Sequence, residues 1–362
     1  MTPVATFVSF RLGGTDGVAV ETRKWEWALG ELGFATRRVA GNLTDPTPDD
    51  VEIPALGHTS TVTVPDPYLL RAALNSDLVI VENLCSLPLN LSAARLVARV
   101  LGEPTGRVLF HHHDLPWQRR EFAAVETEFP PHIPGSLHVT INTRSRRDLN
   151  ARGYNDVITL PNHFDLDPLP GNRTQARDRL GFRPEELVVF QPGRAIYRKN
   201  VPGGLRLAHH LDGHVEGRPV RYWLSGPAED GYDTTLDRVL ERSPVPTTLG
   251  NPLDIADAYA ASDIVVLPST WEGFGNTTIE SIATRRPLSV FRYPVLSEIV
   301  ATGVRFFDID DPGSLIAFLQ QSPDQQVHFH EVNRRRAQLS FSLENLPAAL
   351  DRMFTAHGWD TW

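Results

Sequence analysis

The sequence has 362 residues, 41% of them hydrophobic and 22% charged, a length that suits two globular domains better than one. Its formal charge of −9 argues against nucleic acid as the main partner, and no apolar run reaches the roughly 18 residues of a membrane span. A single cysteine, Cys85, excludes an intramolecular disulfide and a cysteine-based zinc site, and the N-terminus has no secretion signal, so we expect a cytoplasmic protein.

Short β-rich segments alternate with helical patterns along the chain. In the first half the predicted strands begin at residues 4, 35, 78, 107, 137 and 157, and in the second half at residues 187, 219, 264 and 288. Between the first two strands, Val18, Trp25, Leu29 and Leu32 share one helical face. This alternation predicts an α/β protein with parallel sheets and helices on both sides.

The alternation breaks at 161-PNHFDLDPLPGNRTQ, which has three prolines and no periodicity and predicts an interdomain linker. We therefore expect two doubly wound domains, joined near residue 168. Ligands of such sheets bind beyond the carboxyl ends of the strands, and two such domains would face each other across a cleft.

The first strand is followed by the glycine-rich turn 13-GGTDG-17. Backbone N–H groups at Gly13 and Gly14 can approach a phosphate or sugar, although a turn of this kind is often only tight. The spacing is not G-x-G-x-x-G, and the next strand lacks an acidic residue placed for a ribose. A nicotinamide cofactor is therefore not expected.

Three consecutive histidines lie in 110-FHHHDLPW-117, after the strand that begins at residue 107. On extended backbone His111 and His113 share one face and His112 lies on the other. Because neither H-x-x-x-H nor H-E-x-x-H accompanies these histidines, we expect no metal site there. We expect His113 and Asp114 to line the cleft, with the other histidines packed behind them.

The strand at 187 is followed by 193-GRAIYRKN-200. Arg194 and Lys199 lie where a strand passes into a helix, and two cations there can hold a diphosphate leaving group without a metal. A basic cluster of this size is also common on solvated surfaces.

The strand at 264 is followed by 268-PSTWEGFGNTTIES-281, with Glu272 and Glu280 eight positions apart around two glycines. On one continuous helix the two side chains would point about 80° apart and lie about 12 Å apart along the axis. The glycines break that continuity and place Glu280 in the first turn of a helix. Two interpretations stay open: Thr277-x-x-Glu280 is a capping box, or the carboxylates accept from sugar hydroxyls at a helix N-terminus that favours phosphate.

Together these motifs resemble the retaining GT-B glycosyltransferases of family 4, the glycosyl transferases group 1. The resemblance covers nearly the whole chain and rests mainly on the E-x7-E element with its EGFG and the preceding 266-VLPS, while GR-x4-K is moderately specific. In chain order the matching elements are Gly13-Gly14, His113-Asp114, Pro161-Asn162 with Asp165, Gly193-Arg194 with Lys199, Gly250, and Glu272 through Glu280.

The resemblance implies a GT-B fold of two Rossmann-like domains facing a cleft. It implies an acceptor-binding domain at residues 1–167, a nucleotide-sugar-binding domain at 168–344, and a last helix at 345–362 that returns to the first domain. The reaction would move a hexose from a UDP- or GDP-sugar to an acceptor hydroxyl with retention, the departing phosphate taking the proton. No metal and no other cofactor is expected.

The resemblance also implies roles for single residues. Arg194 and Lys199 would neutralise the diphosphate. Glu280 would bind the ribose, and Glu272 and His113 would meet the transferred sugar. The remaining donor contacts would be Gly13, Gly14, Gly250 with its neighbours Leu249 and Asn251, Gly273, Phe274, Gly275, Asn276 and Thr277.

The acceptor, a small molecule or a glycan, would lie against the first domain. Candidate contacts are Asp16, Asp114, Trp117, Arg119, Arg120 and Arg144. The arginines suggest an anionic acceptor or simply a solvated surface. No basic amphipathic helix is evident, so membrane association is not expected, and the oligomeric state stays open.

The chain departs from the family pattern at three places. Asn200 stands where a glycine usually follows the lysine. Asn276-Thr277-Thr278 replaces small apolar residues, so we expect these side chains to contact phosphate or sugar. The segment 291-FRYPVLSE replaces a Gly-Gly pair and leaves the role of Glu298 open.

Two other functions fit the same fold. One is a catalytically inactive sugar-nucleotide or glycan-binding protein, and the other is a nucleotide-sugar epimerase or phosphorylase. A binding protein that has lost catalysis should lack some of the cations or carboxylates of the site. This chain has all four, namely Arg194, Lys199, Glu272 and Glu280. The sequence therefore favours a hexosyltransferase.

Overall fold

The structure is a computed structural model that describes residues 2–14, 16–60, 66–103, 106–250 and 254–359. The chain divides into two compact units, one of Met1–His163 with Leu343–Trp362 and one of Phe164–Ser342. Among the described residues, no helix is long and apolar enough to cross a membrane.

The first unit is built on a seven-stranded parallel sheet in the order β3-β2-β1-β4-β5-β6-β7. Its strands are β1 Val4–Ser9, β2 Ala35–Ala40, β3 Val51–Glu52, β4 Leu78–Glu82, β5 Arg107–His112, β6 Leu137–Thr140 and β7 Val157–Thr159. Its first helices are α1 Gly17–Glu31, α2 Pro67–Ala73, α3 Leu91–Leu101 and α4 Thr143–Ala151. The central strands are covered on both faces, as their unbroken apolar runs predict.

The second unit has a six-stranded parallel sheet in the order β10-β9-β8-β11-β12-β13. Its strands are β8 Leu187–Gln191, β9 Val220–Leu224, β10 Thr247–Leu249, β11 Ile264–Leu267, β12 Leu288–Val290 and β13 Phe307–Asp308. Its helices are α5 Arg173–Leu180, α6 Val201–Leu211, α7 Asp233–Glu241, α8 Ile255–Ala261, α9 Thr277–Ala283, α10 Leu296–Val300, α11 Pro312–Leu319 and α12 Pro323–Phe341. The strand order reverses between β8 and β11, the topological switch point at which doubly wound sheets bind ligands.

The last helix, α13 Leu346–Ala356, belongs to the first unit. Leu350 and Phe354 of α13 share a buried cluster with Trp25 and Leu29 of α1. A segment that is late in the sequence therefore completes one side of the first core.

All ten predicted strands are present, with bounds that differ by at most two residues from the apolar runs. The sequence analysis missed β3, β10 and β13, which have two or three residues and lie at or next to sheet edges, too short to show a period. It also extended the linker too far, because α5 begins at Arg173. The Asn172 side chain accepts a hydrogen bond from the Gln175 N–H at 3.0 Å and caps this helix.

Two buried imidazoles connect β5 to β6 in the first unit. His112 Nε2 lies 2.9 Å from His138 Nδ1, and His112 Nδ1 lies 2.5 Å from the Ser86 hydroxyl. Burial lowers the pKa of His112 well below 6.5 and lowers that of His138 to about 3. Both rings are therefore neutral in the folded protein at neutral pH.

This pair predicts an acid-sensitive fold. Below pH 6.5 the unfolded chain binds protons at these histidines and the folded chain does not, so stability present above pH 6.5 falls as the pH drops towards 3, by about 1.4 kcal/mol per pH unit for each ring. Chemical unfolding of wild type and His138→Gln at pH 7.5 and 5.5 should show a smaller loss in the variant. The exposed His58→Gln should keep the wild-type slope, and a His138→Gln slope equal to wild type would contradict the prediction.

Candidate active site

The loops that follow β8 and β11 meet at the buried carboxylate of Glu272. Lys199 Nζ donates to one oxygen at 2.6 Å and Arg198 Nη1 donates to the other at 2.9 Å, while the residue is only 7% exposed. Burial alone would raise the pKa of Glu272, but the two cations outweigh it and hold that pKa at about 2. The three side chains form an ionised group with one net positive charge at the switch point of the sheet.

Arg198 is the residue that the sequence analysis left without a role. Besides its bond to Glu272, its guanidinium donates to the Trp271 carbonyl at 2.9 Å, and its own carbonyl accepts from the Thr270 N–H at 2.8 Å. These bonds fasten the two loops to each other. The signal in the sequence was the position of Arg198 directly before Lys199.

Arg194, one of the two expected diphosphate ligands, lies apart from this group. Its guanidinium donates to Glu229 at 2.6 Å, and the two side chains are 45% and 42% exposed. An exposed pair of this kind is weak, so the guanidinium can exchange Glu229 for another anion at little cost. The structure thus brings Lys199 and Glu272 together but leaves Arg194 with a different partner.

Asn200 explains one departure from the family pattern. Its backbone is left-handed, with φ 48° and ψ 53°, which glycine adopts freely and asparagine tolerates best among other residues. Its side chain caps α6 by accepting from the Gly203 N–H at 3.2 Å, and it donates to the Pro268 carbonyl at 3.1 Å. Asparagine therefore keeps the backbone geometry of a glycine and adds two bonds that hold the loop of Lys199.

The EGFG loop packs against the side chain of Tyr293. Gly275 has φ 93°, and a Cβ there would lie 2.2 Å from the Tyr293 hydroxyl, which donates to the Phe274 carbonyl at 2.8 Å. The Phe274 ring is buried between Phe164 and Phe341, so only its backbone is available to a ligand. Glycine is required here because of both the backbone angle and the close ring.

The expected ligand contact of the Thr278 side chain is wrong. That residue is fully buried, and its hydroxyl donates to the Gly275 carbonyl at 2.8 Å. Thr277 is 8% exposed and stands at the first helical position of α9, with Asn276 as the N-cap residue.

The start of α9 excludes one of the two interpretations of Glu280. A capping box would need Thr277 just outside the helix, whereas Thr277 is its first residue, so that alternative is wrong. Glu280 lies in the first turn and accepts a hydrogen bond from the Tyr259 hydroxyl at 2.7 Å. Tyr259 carried no signal in the sequence, because its helix, α8, has the pattern of ordinary core packing.

Gly250 lies in the loop around Leu249, Gly250 and Asn251 that the resemblance implies borders the base of the donor. Its carbonyl accepts from the Trp223 indole N–H at 3.0 Å, and its N–H donates to the Leu224 carbonyl at 3.2 Å. Asn251, which follows it, lies outside the described residues. Glu298 is half-buried at the start of α10.

In the first unit, Gly13 supports the turn after β1. It has φ 86°, and a Cβ there would lie 2.1 Å from the Thr44 carbonyl oxygen. Asp16, expected at the acceptor, instead caps α1 by accepting from the Val18 and Ala19 N–H groups, and it pairs with Arg11 at 3.0 Å. The Gly14 carbonyl accepts from Arg23 at 2.7 Å.

The three histidines at the end of β5 divide as their alternation predicts. His111 Nδ1 and His113 Nε2 lie 3.1 and 2.8 Å from the buried carboxylate of Glu82, and His112 points to the opposite side. Burial would raise the pKa of Glu82, but the two imidazoles hold it at about 2. Burial would lower the pKa of His113, yet Glu82 outweighs that effect and raises it above 6.5.

These three side chains could also hold a metal ion, because one ligand atom from each lies within 4.8 Å of the others. In the structure both imidazoles already hydrogen bond to Glu82, which satisfies the group without an ion. Glu82 had a signal in the sequence, since it is a charged residue that ends the buried strand 78-LVIVE.

The remaining acceptor candidates make contacts of their own. Asp114 pairs with Arg119 at 3.0 Å, and its backbone N–H donates to the Asn83 side chain. The Trp117 indole N–H donates to Asp148 at 3.4 Å, and the Arg152 guanidinium lies 3.8 Å from the centre of its ring. Arg144 is exposed on α4. Their role towards an acceptor stays a prediction.

Comparison with known proteins gives concordant results. Residues 172–325 match the family model described as glycosyl transferases group 1. The mannosylglucosylglycerate synthase of Petrotoga mobilis is 24% identical over 81% of this chain and 83% of its own. The D-inositol 3-phosphate glycosyltransferase 2 of Catenulispora acidiphila is 30% identical over 48% of this chain and 45% of its own.

Among solved structures, Anabaena HepE in complex with UDP-glucose has a TM-score of 0.75 at 16% identity. The alignment covers 98% of this chain and 100% of that one. This likeness confirms the expected GT-B fold of two α/β domains, each with a parallel sheet.

The Glu272 group predicts a specific acid response of stability. Its carboxylate has a pKa of about 2 when folded against 4.5 when unfolded, so it contributes about 3 kcal/mol above pH 4.5, which is lost as the pH falls towards 2. Glu272→Gln should therefore be less stable than wild type at pH 6 in chemical unfolding, and the difference should shrink at pH 3.5.

A matched control uses another close ion pair of the same unit, Arg194 with Glu229. Glu229→Gln removes an exposed carboxylate that lies 2.6 Å from the Arg194 guanidinium. This substitution should lower the free energy of unfolding by less than about 1 kcal/mol at either pH. A Glu272→Gln deficit that stays the same at both pH values would show that Glu272 is not held ionised by its neighbours.

Proposed function

We propose that the chain, whose residues 172–325 match the family model described as glycosyl transferases group 1, is a retaining, metal-independent hexosyltransferase of that family. Its donor is a nucleotide-diphospho-sugar, with UDP or GDP as the nucleotide. The proposal rests on one observation above all: Glu272 is ionised and buried between Lys199 and Arg198 at the switch point of the second sheet.

Such a group suits a sugar diphosphate because it offers both kinds of contact at once. Sugar hydroxyls donate hydrogen bonds, and the Glu272 carboxylate accepts them. The net positive charge of the group attracts the diphosphate. The fold of HepE, which has been solved with UDP-glucose, is consistent with a uridine donor.

The chemistry follows from where charge develops. As the anomeric bond breaks, negative charge grows on the departing diphosphate, and Lys199 stabilises this charge where it forms. Arg194 joins it by exchanging Glu229 for the phosphate. The acceptor hydroxyl attacks from the side on which the nucleotide leaves, and the departing phosphate oxygen takes its proton, so the configuration is retained. Two fixed cations thereby take the role that a divalent metal has in other transferases.

We further propose that the acceptor is a small hydroxyl compound with an anionic group. The names of the relatives point to a glycerate product and an inositol 3-phosphate substrate. In the first unit, His113 with its raised pKa and the exposed Arg144 supply positive charge for such a group. A cytoplasmic location remains a prediction from the single cysteine, whose buried thiol has a raised pKa and is unreactive.

Nucleotide binding gives the most direct test. Thermal unfolding is measured with UDP, GDP, ADP and dTDP, each with magnesium and with EDTA. A diphosphate at about 100 times its dissociation constant should stabilise the folded state by about 2.7 kcal/mol, which raises Tm by a few degrees. We expect one nucleotide to act equally in both buffers. A shift that requires magnesium would contradict the metal-free site, and no shift with any nucleotide would contradict the proposed function.

Activity should depend strongly on Lys199. Lys199→Ala removes a cation that acts on the developing charge, so kcat should fall by about 100-fold or more with the protein still folded. Arg194→Ala should also lower kcat, whereas Arg292→Ala, which removes an arginine that is 84% exposed in the same unit, should not. Near-wild-type transfer by Lys199→Ala, followed with the nucleotide sugar and small anionic acceptors, would contradict the assigned role.

A further inference from the structure

We propose that Tyr259 is a positioning residue that sets the ribose selectivity of the nucleotide site by holding the carboxylate of Glu280. The inference rests on the proposed function, in which Glu280 accepts from the ribose hydroxyls. It assigns a role to a residue on α8, outside the loops that carry the cations and carboxylates.

The Tyr259 ring is fixed in place. The residue is 1% exposed, and its ring packs edge-on against Phe190 with centroids 5.7 Å apart and planes at 89°. Its backbone carbonyl accepts from the Arg286 guanidinium at 2.8 Å and from the Ser262 hydroxyl at 2.9 Å. These contacts fix the position of the Tyr259 hydroxyl next to the first turn of α9.

At that point the hydroxyl donates to Glu280 Oε2 at 2.7 Å. Burial raises the pKa of Tyr259 well above 10, so the phenol keeps its proton and acts as a donor throughout the working pH range. The bond is charge-assisted, the stronger class of hydrogen bond in proteins.

The bond matters because a glutamate side chain is flexible and only half-buried here. Three rotatable bonds separate the Glu280 carboxylate from its backbone, and ordering them opposes binding. By holding one oxygen in place, Tyr259 presents the carboxylate as an oriented acceptor before any ligand arrives. A ligand with vicinal hydroxyls, such as a ribose, gains from this orientation, whereas a sugar that lacks them gains nothing.

The test compares the affinities of one nucleoside diphosphate and its two deoxy forms. For the diphosphate that wild type binds, Kd is measured for the ribonucleotide and for its 2′-deoxy and 3′-deoxy counterparts, in wild type, Tyr259→Phe and Glu280→Gln. Wild type should prefer the ribonucleotide by about tenfold or more, as expected for a hydrogen bond to a charged group. Tyr259→Phe keeps the ring and should lose most of that preference, mainly by weaker binding of the ribonucleotide.

Tyr154→Phe is the matched control. It removes a buried tyrosine hydroxyl of the first unit that donates to the Pro130 carbonyl. The affinities for the ribonucleotide and for both deoxy forms should stay unchanged. Equal weakening of ribo- and deoxyribonucleotides by Tyr259→Phe would mean that the hydroxyl only stabilises the fold, and an unchanged preference would mean that it has no part in recognition. Either result overturns the inference alone. Failure of wild type to bind any nucleotide diphosphate would overturn the proposed function and the inference with it.

Discussion

The buried carboxylate of Glu272 is the constraint on which the second unit's site depends. A lone carboxylate that is 7% exposed would carry a large desolvation cost, and two cations offset it. Because those cations come from the loop after β8 and the carboxylate from the loop after β11, electrostatics joins two loops that the sheet only brings near each other. In the proposed reaction, the charge of Lys199 is therefore shared between Glu272 and the diphosphate of the donor.

The first unit repeats the same physical solution with different residues. Glu82 is fully buried at the end of β4 and is kept ionised by His111 and His113. In each unit, then, an acidic side chain at the carboxyl edge of the sheet is paired with side chains at the end of a neighbouring strand or in the loop that follows it. In the first unit the neutralising groups are two imidazoles, and in the second they are an ammonium and a guanidinium.

Local patterns predicted most of the fold, because long apolar runs such as β4 and the helical face of α1 carry a clear period. The E-x7-E element and Lys199 were predictable because their spacing is specific. Arg198 and Tyr259 were not, since a contact across 74 or 21 positions depends on how two segments pack and leaves no local trace. Asp16 shows the opposite case: one residue type at one place suits both a helix cap, which the structure has, and an acceptor ligand, which stays a prediction.

The placement of α13 has a consequence for the order in which the chain acquires structure during synthesis. Phe164–Ser342 is a continuous stretch, whereas the first unit is split and its core includes Leu350 and Phe354 from the last helix. As the chain leaves the ribosome, the second unit has all its residues before the first one does, so the cluster around Trp25 and Leu29 is completed only after α13 has been made. Of the two units, the first therefore completes its core last, although its synthesis begins before that of the second.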